Sequence, residues 1–521
     1  MLLAGCQYIP AYERGEVIGY DEAVQRKADL EAFCEEKIRD EEVEQAYFLF
    51  ELVRLRKFAA DRVSHGKGVV PEGYRKLHDF LWLNAKVTNP KVIAEHGPPS
   101  AEETREHARQ VKALRAAAEV QEQKFWKGFR ATERRLAAQA ESARPFEMPY
   151  ASIFAPGYVA SSANDARLGL TPEEAVLEYF FAPSGTCYVF LVTREGVEVT
   201  ELGTDRAGLA ALAEELHDRA EHGKPQWEAP ARALERELIA PFLPRLEGVE
   251  TLFLVPTGPL SNVPFNCLLD GSDRPLLERF RLAFLPSFSF YKLAISQPPR
   301  DRGNPRVLAI GNGDLAMAPK EAKVASRLFP GSQEWYVLHA NELKALNEGT
   351  WKPPAGMTLA TEDRFYHAYQ EFDVYHFATH GGLVPQVPLA SALSLTGTPG
   401  HDGKLTAAEV RTLDMRHARL AFLSACHSGQ SGQRASDDEL ASIAGAFMVA
   451  GVPTVIGSLW PVNDISTVSL MLKFYERFLD LGPAEALRQA QLSVRKMKPV
   501  GKLDFSHPKL WAAFNTYGVD Q

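Results

Sequence analysis

The feature that most constrains the fold is a series of short apolar runs, separated by stretches whose apolar residues have helical spacing. Six such runs lie between residues 187 and 460: CYVFLVT (187–193), TLFLVPTGPL (251–260), RVLAIGN (306–312), DVYHFATH (373–380), RLAFLSAC (419–426) and PTVIGSLW (453–460). Short apolar strands alternating with helices are typical of a mostly parallel sheet covered on both faces. We therefore predict an α/β fold whose functional side chains lie beyond the carboxyl ends of the strands.

The N-terminal part of the chain has a different pattern. Apolar residues recur at helical spacing from Asp21 to Val63 and from Tyr74 to Val87, and a third helical stretch begins at a capping box at Ser100. We predict an all-α module over residues 21–143, after a tail at 1–20 and before a Pro-rich linker at 144–164. The module could recruit a regulatory protein partner or serve only as a packing cap.

Composition excludes several classes of protein. The net charge of −9 argues against a general nucleic-acid binder, which would carry a basic balance or a basic face. Five cysteines in a chain of 521 residues, without a Cys-x-x-Cys spacing, argue against a disulfide framework or a structural zinc site. We expect reduced thiols and no cofactor.

The location of the protein stays open at this stage. Leu3-Ala4-Gly5-Cys6 resembles the lipobox of bacterial lipoproteins, in which the cysteine is lipidated. A secretory signal needs an apolar stretch of about 7–15 residues, and only five residues precede Cys6. Both a cytoplasmic protein and an envelope protein anchored through Cys6 fit the sequence.

Two of the apolar runs end in reactive residues. His380 closes the run at 373–380 and is followed by Gly381, and Cys426 closes the run at 419–426, 46 residues later. On neighbouring strands the two side chains can face each other. An imidazole beside a thiol favours the nucleophilic thiolate and can later protonate a leaving amine. The backbone N–H of Gly381 could contribute to an oxyanion hole.

Alternative chemistries are less well supported by the residues. His376 lies four residues before His380, and with His401, Cys426 and His427 these two could form a zinc site, but a His-x-x-x-His spacing on a strand lacks the helical glutamate of metalloproteases. We interpret His376 as a buried, hydrogen-bonded histidine and predict no metal. The Gly-x-Gly at 311–313 lacks the third glycine of a dinucleotide-binding loop, and we interpret it as an ordinary turn.

A set of ordered motifs resembles the CHAT domain, a branch of the caspase–separase clan of cysteine peptidases. The motifs are LTPEEAVLEYFF (170–181), TLFLVPTGPLSNVPFNCLL (251–269), YHFATHGG (375–382), ALSL (392–395), KLTAAEV (404–410), LAFLSACHSG (420–429), GAFMVAGVPTVIGSLWPVND (445–464) and HPKLWAAF (507–514). The resemblance implies a caspase-like sheet flanked by helices. It also implies a pseudo-caspase subdomain over 165–300, a catalytic domain over 301–521, and His380 and Cys426 as a dyad that needs no third acid.

The resemblance leaves specificity open. Relatives that cut after basic residues carry an acid two positions before the cysteine, where this chain has Ser424. Candidate substrate-binding residues are Asp437, Trp460 and Asp464. Asp437, with Asp438, could instead begin a helix, Asp464 could be a helix N-cap, and Trp460 could belong to the core.

Two functions follow from the sequence. The first is a cysteine endopeptidase that cleaves a protein substrate through the His380–Cys426 dyad and is regulated by a partner or by its helical module. The second is a catalytically silent caspase-fold scaffold for protein–protein interaction or signalling, which the long charged helices of 21–143 would suit.

Overall fold

The computed structural model describes residues 169–295, 303–384, 388–398, 401–430, 442–462, 464–501 and 503–520, with isolated positions at 34, 35, 38, 39, 100–102, 104 and 105. The predicted tail, with Cys6, and the predicted linker lie outside the described residues, as does most of the predicted helical module. Its described positions at 34, 35, 38 and 39 are helical, and Cys34 is buried in the core.

Fourteen strands occur in the described residues. They are β1 (Glu174–Phe181), β2 (Cys187–Thr193), β3 (Gly196–Glu201), β4 (Thr251–Val255), β5 (Arg281–Phe284), β6 (Val307–Asn312), β7 (Gln333–Val337), β8 (Val374–Ala378), β9 (Gly381–Gly382), β10 (Ala392–Ser394), β11 (Lys404–Thr406), β12 (Leu420–Ser424), β13 (Thr454–Ser458) and β14 (Phe514–Gly518). Each of the six apolar runs contains one strand, so the prediction of strands from these runs is confirmed.

The α-helices of the same residues lie between and beside these strands. They are α1 (Arg206–His222), α2 (Glu228–Leu238), α3 (Leu276–Arg279), α4 (Phe288–Ile295), α5 (Ala318–Arg327), α6 (Ala340–Asn347), α7 (Glu362–Ala368), α8 (Ala407–Val410), α9 (Ile443–Ala450), α10 (Asp464–Tyr475), α11 (Phe478–Leu481) and α12 (Pro483–Arg495). Within the described part of the chain, no helix is both long enough and apolar enough to span a membrane.

Eleven of the strands form one sheet in the order β3-β2-β1-β4-β5-β14-β13-β12-β8-β6-β7. Strands β1, β4, β5 and β14 are parallel to one another, and so are β13, β12, β8, β6 and β7. The two parallel blocks meet where β13 and β14 pair antiparallel. The α/β class with a mostly parallel sheet flanked by helices is therefore confirmed.

The sheet is buried on both faces because its strands are apolar on both sides. In β8, Tyr375 and Phe377 face one cluster of buried residues, to which α4, α7, α8 and α9 contribute, whereas Val374 faces a second cluster built with α1, α2, α5, α10 and α12. This arrangement fixes the carboxyl ends of β6, β8, β12 and β13 along one edge, where the predicted dyad lies.

A small antiparallel sheet stands at the same edge. Strand β10 pairs with β9 on one side and with β11 on the other, so the order is β11-β10-β9. Strand β9 begins at Gly381, directly after His380. The small sheet therefore holds the backbone that follows the candidate base.

Candidate active site

Register brings the predicted dyad to adjacent strand ends. Strands β8 and β12 are neighbours in parallel pairing, and Ala378 lies opposite Ser424 at the end of each strand. His380 and Cys426 each follow two residues later, so they emerge side by side from the same edge of the sheet. Both strands end two residues earlier than the apolar runs, and the reactive residues stand on the loops beyond them.

Gly381 makes a close contact between the two loops. A Cβ atom added to this glycine would lie 2.2 Å from the carbonyl oxygen of Cys426 and 3.3 Å from its amide nitrogen. The backbone after His380 is thus packed directly against the backbone of Cys426. Only glycine leaves room for this approach, which explains why the histidine is followed by a residue without a side chain.

A hydrogen-bonded turn holds Cys426. The next residue, His427, has a φ of 55°, which reverses the chain direction. The Ser428 hydroxyl donates to the carbonyl of Leu423 at 3.1 Å and accepts the amide of Ser458 at 3.0 Å. The Ser458 hydroxyl in turn donates to the carbonyl of Ala425 at 2.6 Å. These buried bonds tie the turn to the end of β13.

Gly429 completes the turn against the last strand. The Tyr517 hydroxyl donates to the Gly429 carbonyl at 2.9 Å, and a Cβ on this glycine would meet that hydroxyl oxygen at 2.5 Å. Behind the turn, helix α9 is capped by the Ser442 side chain, which accepts the Gly445 amide. All eight residues of α9 are buried, so the Cys426 loop rests on a rigid apolar support.

The His380 loop is fixed through β10. The His380 carbonyl accepts the amide of Ser394 at 3.0 Å, and the Thr379 hydroxyl donates to the Ser394 carbonyl at 2.7 Å. The Asn312 side chain donates to the Thr379 hydroxyl at 3.0 Å, which links this loop to the end of β6. Thr379 and Asn312 are buried, whereas the His380 side chain is exposed and accessible.

The electrostatic surroundings favour neutral His380. Partial desolvation lowers the pKa of His380 below its ordinary value, Asp314 acts against this effect, and Lys404 reinforces it. A histidine that is neutral near pH 7 can accept a proton from a thiol. Desolvation also lowers the pKa of Lys404, whose ammonium group donates to the Ser394 hydroxyl at 3.0 Å.

The predicted substrate-binding residues fall in different places. Trp460 is fully buried, and its indole N–H donates to the carbonyl of Lys509 at 3.2 Å. The register of β12 with β13 nevertheless puts it level with Cys426 on the next strand. Asp464 is the first residue of α10. Asp437, with Asp438, lies outside the described residues. Ser424 is buried.

Helix α1 of the first parallel block reaches the same edge. His217 makes an edge-to-face contact with the Trp460 ring, with 5.7 Å between centroids, and its Nδ1 lies 2.9 Å from the carbonyl oxygen of Asn262. Burial lowers the pKa of His217, and nearby His427 acts in the same direction. Sequence patterns did not single out His217, Asp314 or Lys404. An isolated titratable residue that is distant in sequence from His380 and Cys426 carries no local signal that it lies near them in the fold.

His376 is fully buried beneath the site, as predicted. Its ring nitrogens lie 3.1 Å from the Tyr475 hydroxyl and 3.1 Å from the Glu321 carboxylate. Among the residues that the structure describes, no group of three or more His, Cys, Asp or Glu side chains is arranged to hold a metal ion.

The other described cysteines are unsuited to nucleophilic chemistry. Cys34, Cys187 and Cys267 are all buried thiols. Burial raises the pKa of Cys187 to about 12 and raises that of Cys267 further. Cys426 is only partly buried, so it is the described thiol most open to a substrate.

Comparison with known proteins places this arrangement in a family. Tetratricopeptide repeat protein 28 of Homo sapiens is 29% identical over 342 residues, which are 56% of this chain and 13% of that protein. Its Mus musculus counterpart is 29% identical over 346 residues, with the same coverage. The chain thus spans about an eighth of the length of these curated relatives.

Solved structures also match. The Saccharomyces cerevisiae separase–securin complex aligns with 92% of this chain and 36% of its own, at a TM-score of 0.44 and 11% identity. The complex of Porphyromonas gingivalis RgpB pro- and mature domains aligns with 59% of this chain and 75% of its own, at a TM-score of 0.39 and 10% identity. The CHAT domain family matches residues 228–519, more than half of the sequence. The chain therefore belongs to the CHAT domain family.

Proposed function

We propose that the protein is a cysteine endopeptidase in which Cys426 is the nucleophile and His380 the general base and acid. The observation that carries the proposal is the packing of Gly381 against the Cys426 backbone at the ends of two registered parallel strands. That packing brings the histidine loop and the cysteine loop together at the edge where parallel sheets place their sites.

In the proposed reaction, His380 accepts the thiol proton and the Cys426 thiolate attacks the carbonyl carbon of a peptide bond. The carbon–nitrogen bond breaks as the imidazolium returns its proton to the departing amine. The acyl group is then held as a thioester. A water molecule gives a proton to His380 and its hydroxyl to the acyl carbon. The carbon–sulfur bond then breaks, and the departing thiolate takes that proton from His380, which regenerates the thiol and the neutral imidazole.

The Gly381 amide is the proposed oxyanion donor. The Ser394 amide donates to the His380 carbonyl, so those two residues form a hydrogen-bonded antiparallel pair. Hydrogen-bonded and non-hydrogen-bonded pairs alternate along such a ladder, so the next pair, Gly381 with Leu393, is non-hydrogen-bonded. The Gly381 N–H is therefore directed away from β10. A substrate oxygen next to Cys426 could accept it, which would stabilise the tetrahedral intermediate.

Specificity and regulation are parts of the same proposal. Ser424 supplies no charge for a basic residue before the cleaved bond, so we infer a pocket that depends on Asp437, Trp460 or Asp464. Trp460 would support the wall of that pocket from the core, since its ring is fully buried. A protein partner that engages the N-terminal helices would control access.

Cleavage of a proteome-derived peptide library tests this function. The wild-type chain should generate new N-termini at reproducible positions, and both Cys426→Ala and His380→Ala should abolish them. Cys187→Ala and His367→Ala are matched controls, the first a buried thiol in β2 and the second an exposed histidine on α7. Cleavage that survives Cys426→Ala would overturn the proposal, and absence of any cleavage, with or without a partner, would favour the silent scaffold.

A further inference from the structure

An acidic residue, Asp314, follows β6, the strand that flanks β8 on the side opposite β12. Strands β6 and β8 are parallel neighbours with Gly311 opposite Ala378, so the same register sets Gly313 beside His380 and Asp314 one residue further. Adjacent strands lie about 4.8 Å apart. His380 therefore lies between the cysteine loop after β12 and the Asp314 loop after β6.

The Asp314 side chain is held in place by its surroundings. Its amide donates to the Asn312 side-chain oxygen at 2.9 Å, and its carboxylate accepts the amide of Ala340, at the start of α6, at 3.1 Å. The ring of His339 lies 3.4 Å from the same carboxylate oxygen. These contacts fix the carboxylate at the end of β6, while about a third of its side chain stays exposed.

A cation approaches His380 from the small sheet. Lys404 lies opposite Ser394 in the β10–β11 pair and donates to its hydroxyl at 3.0 Å, while the Ser394 amide donates to the His380 carbonyl at 3.0 Å. The carboxylates of Asp402 and Asp314 lie near Lys404 and partly balance its charge. Two opposite charges on different elements therefore act on one imidazole.

We propose that Asp314 is a positioning acid that stabilises the imidazolium form of His380, and that Lys404 opposes it. The catalytic role of these two residues rests on the proposed peptidase function, but the experiment that tests their effect on His380 does not. The imidazolium forms when the thiol gives up its proton, so Asp314 favours the reactive thiolate–imidazolium pair. Lys404 limits that pair and keeps His380 able to accept a proton.

The directions in which neighbouring charges shift the pKa of His380 agree with this arrangement. Asp314 acts to raise the pKa of His380, Lys404 acts to lower it, and partial desolvation lowers it most. Titratable groups lie on three sides of the imidazole. Asp314 and His339 lie on the β6 side, and Cys426 lies on the β12 side. Lys404, Asp402 and Glu362 lie on the side of the small sheet.

Histidine titration by NMR tests the inference without a substrate. The ring signals of His380 in the full chain are assigned by their loss in His380→Gln and followed with pH. Asp314→Asn should lower the pKa of His380 and Lys404→Gln should raise it, whereas Asp314→Glu, which keeps the charge, should restore the wild-type titration. Asp363→Asn, an exposed carboxylate on α7, is the control and should leave the curve unchanged.

The outcome is informative whatever the peptidase assay shows. Opposite shifts in the two variants support the inference even if no peptide is cleaved, in which case only the proposed function fails. Shifts of the same sign, or no shift, would overturn it even if cleavage is observed. Where cleavage is observed, the acid limb of its pH profile should move to lower pH in Asp314→Asn and to higher pH in Lys404→Gln.

Discussion

Gly381→Ala should disable the site without disrupting the fold. The new Cβ would lie 2.2 Å from the Cys426 carbonyl oxygen, whereas ordinary contact begins at 3.4 Å. The Cys426 oxygen is a backbone atom, and the new Cβ is bonded directly to the backbone. No side-chain rotation can therefore relieve the overlap. The two loops must therefore separate by more than 1 Å.

The size of this displacement sets the expected effect. A misplacement of about 1 Å in a catalytic arrangement can lower the rate about 100-fold. We expect a loss of that order in kcat/KM for the best peptide found in the library screen. The circular dichroism spectrum should stay that of the wild type, because the overlap is confined to two loops beyond the strand ends.

Gly382→Ala is the matched control for this substitution. It adds the same methyl group one residue later, where the nearest neighbour, the Ala392 carbonyl oxygen, lies at 3.8 Å. This variant should keep wild-type kcat/KM to within about twofold, since surface substitutions away from special features have small effects. If the two variants had equal activity, the contact between Gly381 and Cys426 would have no catalytic importance and the proposed geometry would be refuted.

Three further substitutions test the support of the site. Ser428→Ala removes the hydroxyl that bonds the buried Leu423 carbonyl of β12 and Ser458 amide of β13, and it should lower the free energy of unfolding by about 1–3 kcal/mol; an unchanged urea midpoint would contradict this role. His376→Leu leaves the buried Glu321 carboxylate without its imidazole and should cost about 3–5 kcal/mol, whereas adding Glu321→Leu should recover part of the loss. Burial and neighbouring carboxylates raise the pKa of Glu362 to about 8, so the folded chain binds a proton that the unfolded chain releases, and stability should fall as pH rises towards about 8; Glu362→Gln should flatten that slope in thermal melts, and an equal slope in both proteins would contradict the assignment.

Local pattern was sufficient for six of the eleven strands of the sheet, β2, β4, β6, β8, β12 and β13. The run at 187–193 became β2 over its whole length, and the runs at 373–380 and 419–426 became β8 and β12. Burial on both faces makes such strands continuously apolar, so their composition alone reveals them. The positions of His380 and Cys426 followed from the same pattern, since the carboxyl ends of parallel strands share an edge.

Strand ends were less predictable, for a physical reason. The runs continue to His380 and Cys426, but the strands stop two residues earlier. After β8, the Thr379 hydroxyl bonds to the Ser394 carbonyl and draws the chain towards the small sheet. After β12, His427 turns the chain with a positive φ. Both causes are tertiary and leave no trace in local hydrophobicity.

Long-range relations could not be derived from the sequence. The antiparallel pairing of β13 with β14 joins segments about 60 residues apart, and β14 has a mixed composition, FNTYG. Asp314 and Lys404 reach His380 from opposite directions along the chain, and nothing distinguishes them locally from other charged loop residues. Trp460, for which pocket and core were both open, is fully buried in the structure.

The most direct test of the central claim is the rate at which iodoacetamide alkylates each cysteine of the folded chain, followed by peptide mass spectrometry as a function of pH. We expect Cys426 to react well before Cys187 and Cys267, whose burial disfavours the thiolate. We also expect His380→Ala to slow alkylation of Cys426 near neutral pH. Equal rates at Cys426 in the wild type and in His380→Ala at every pH would contradict a cysteine activated by His380.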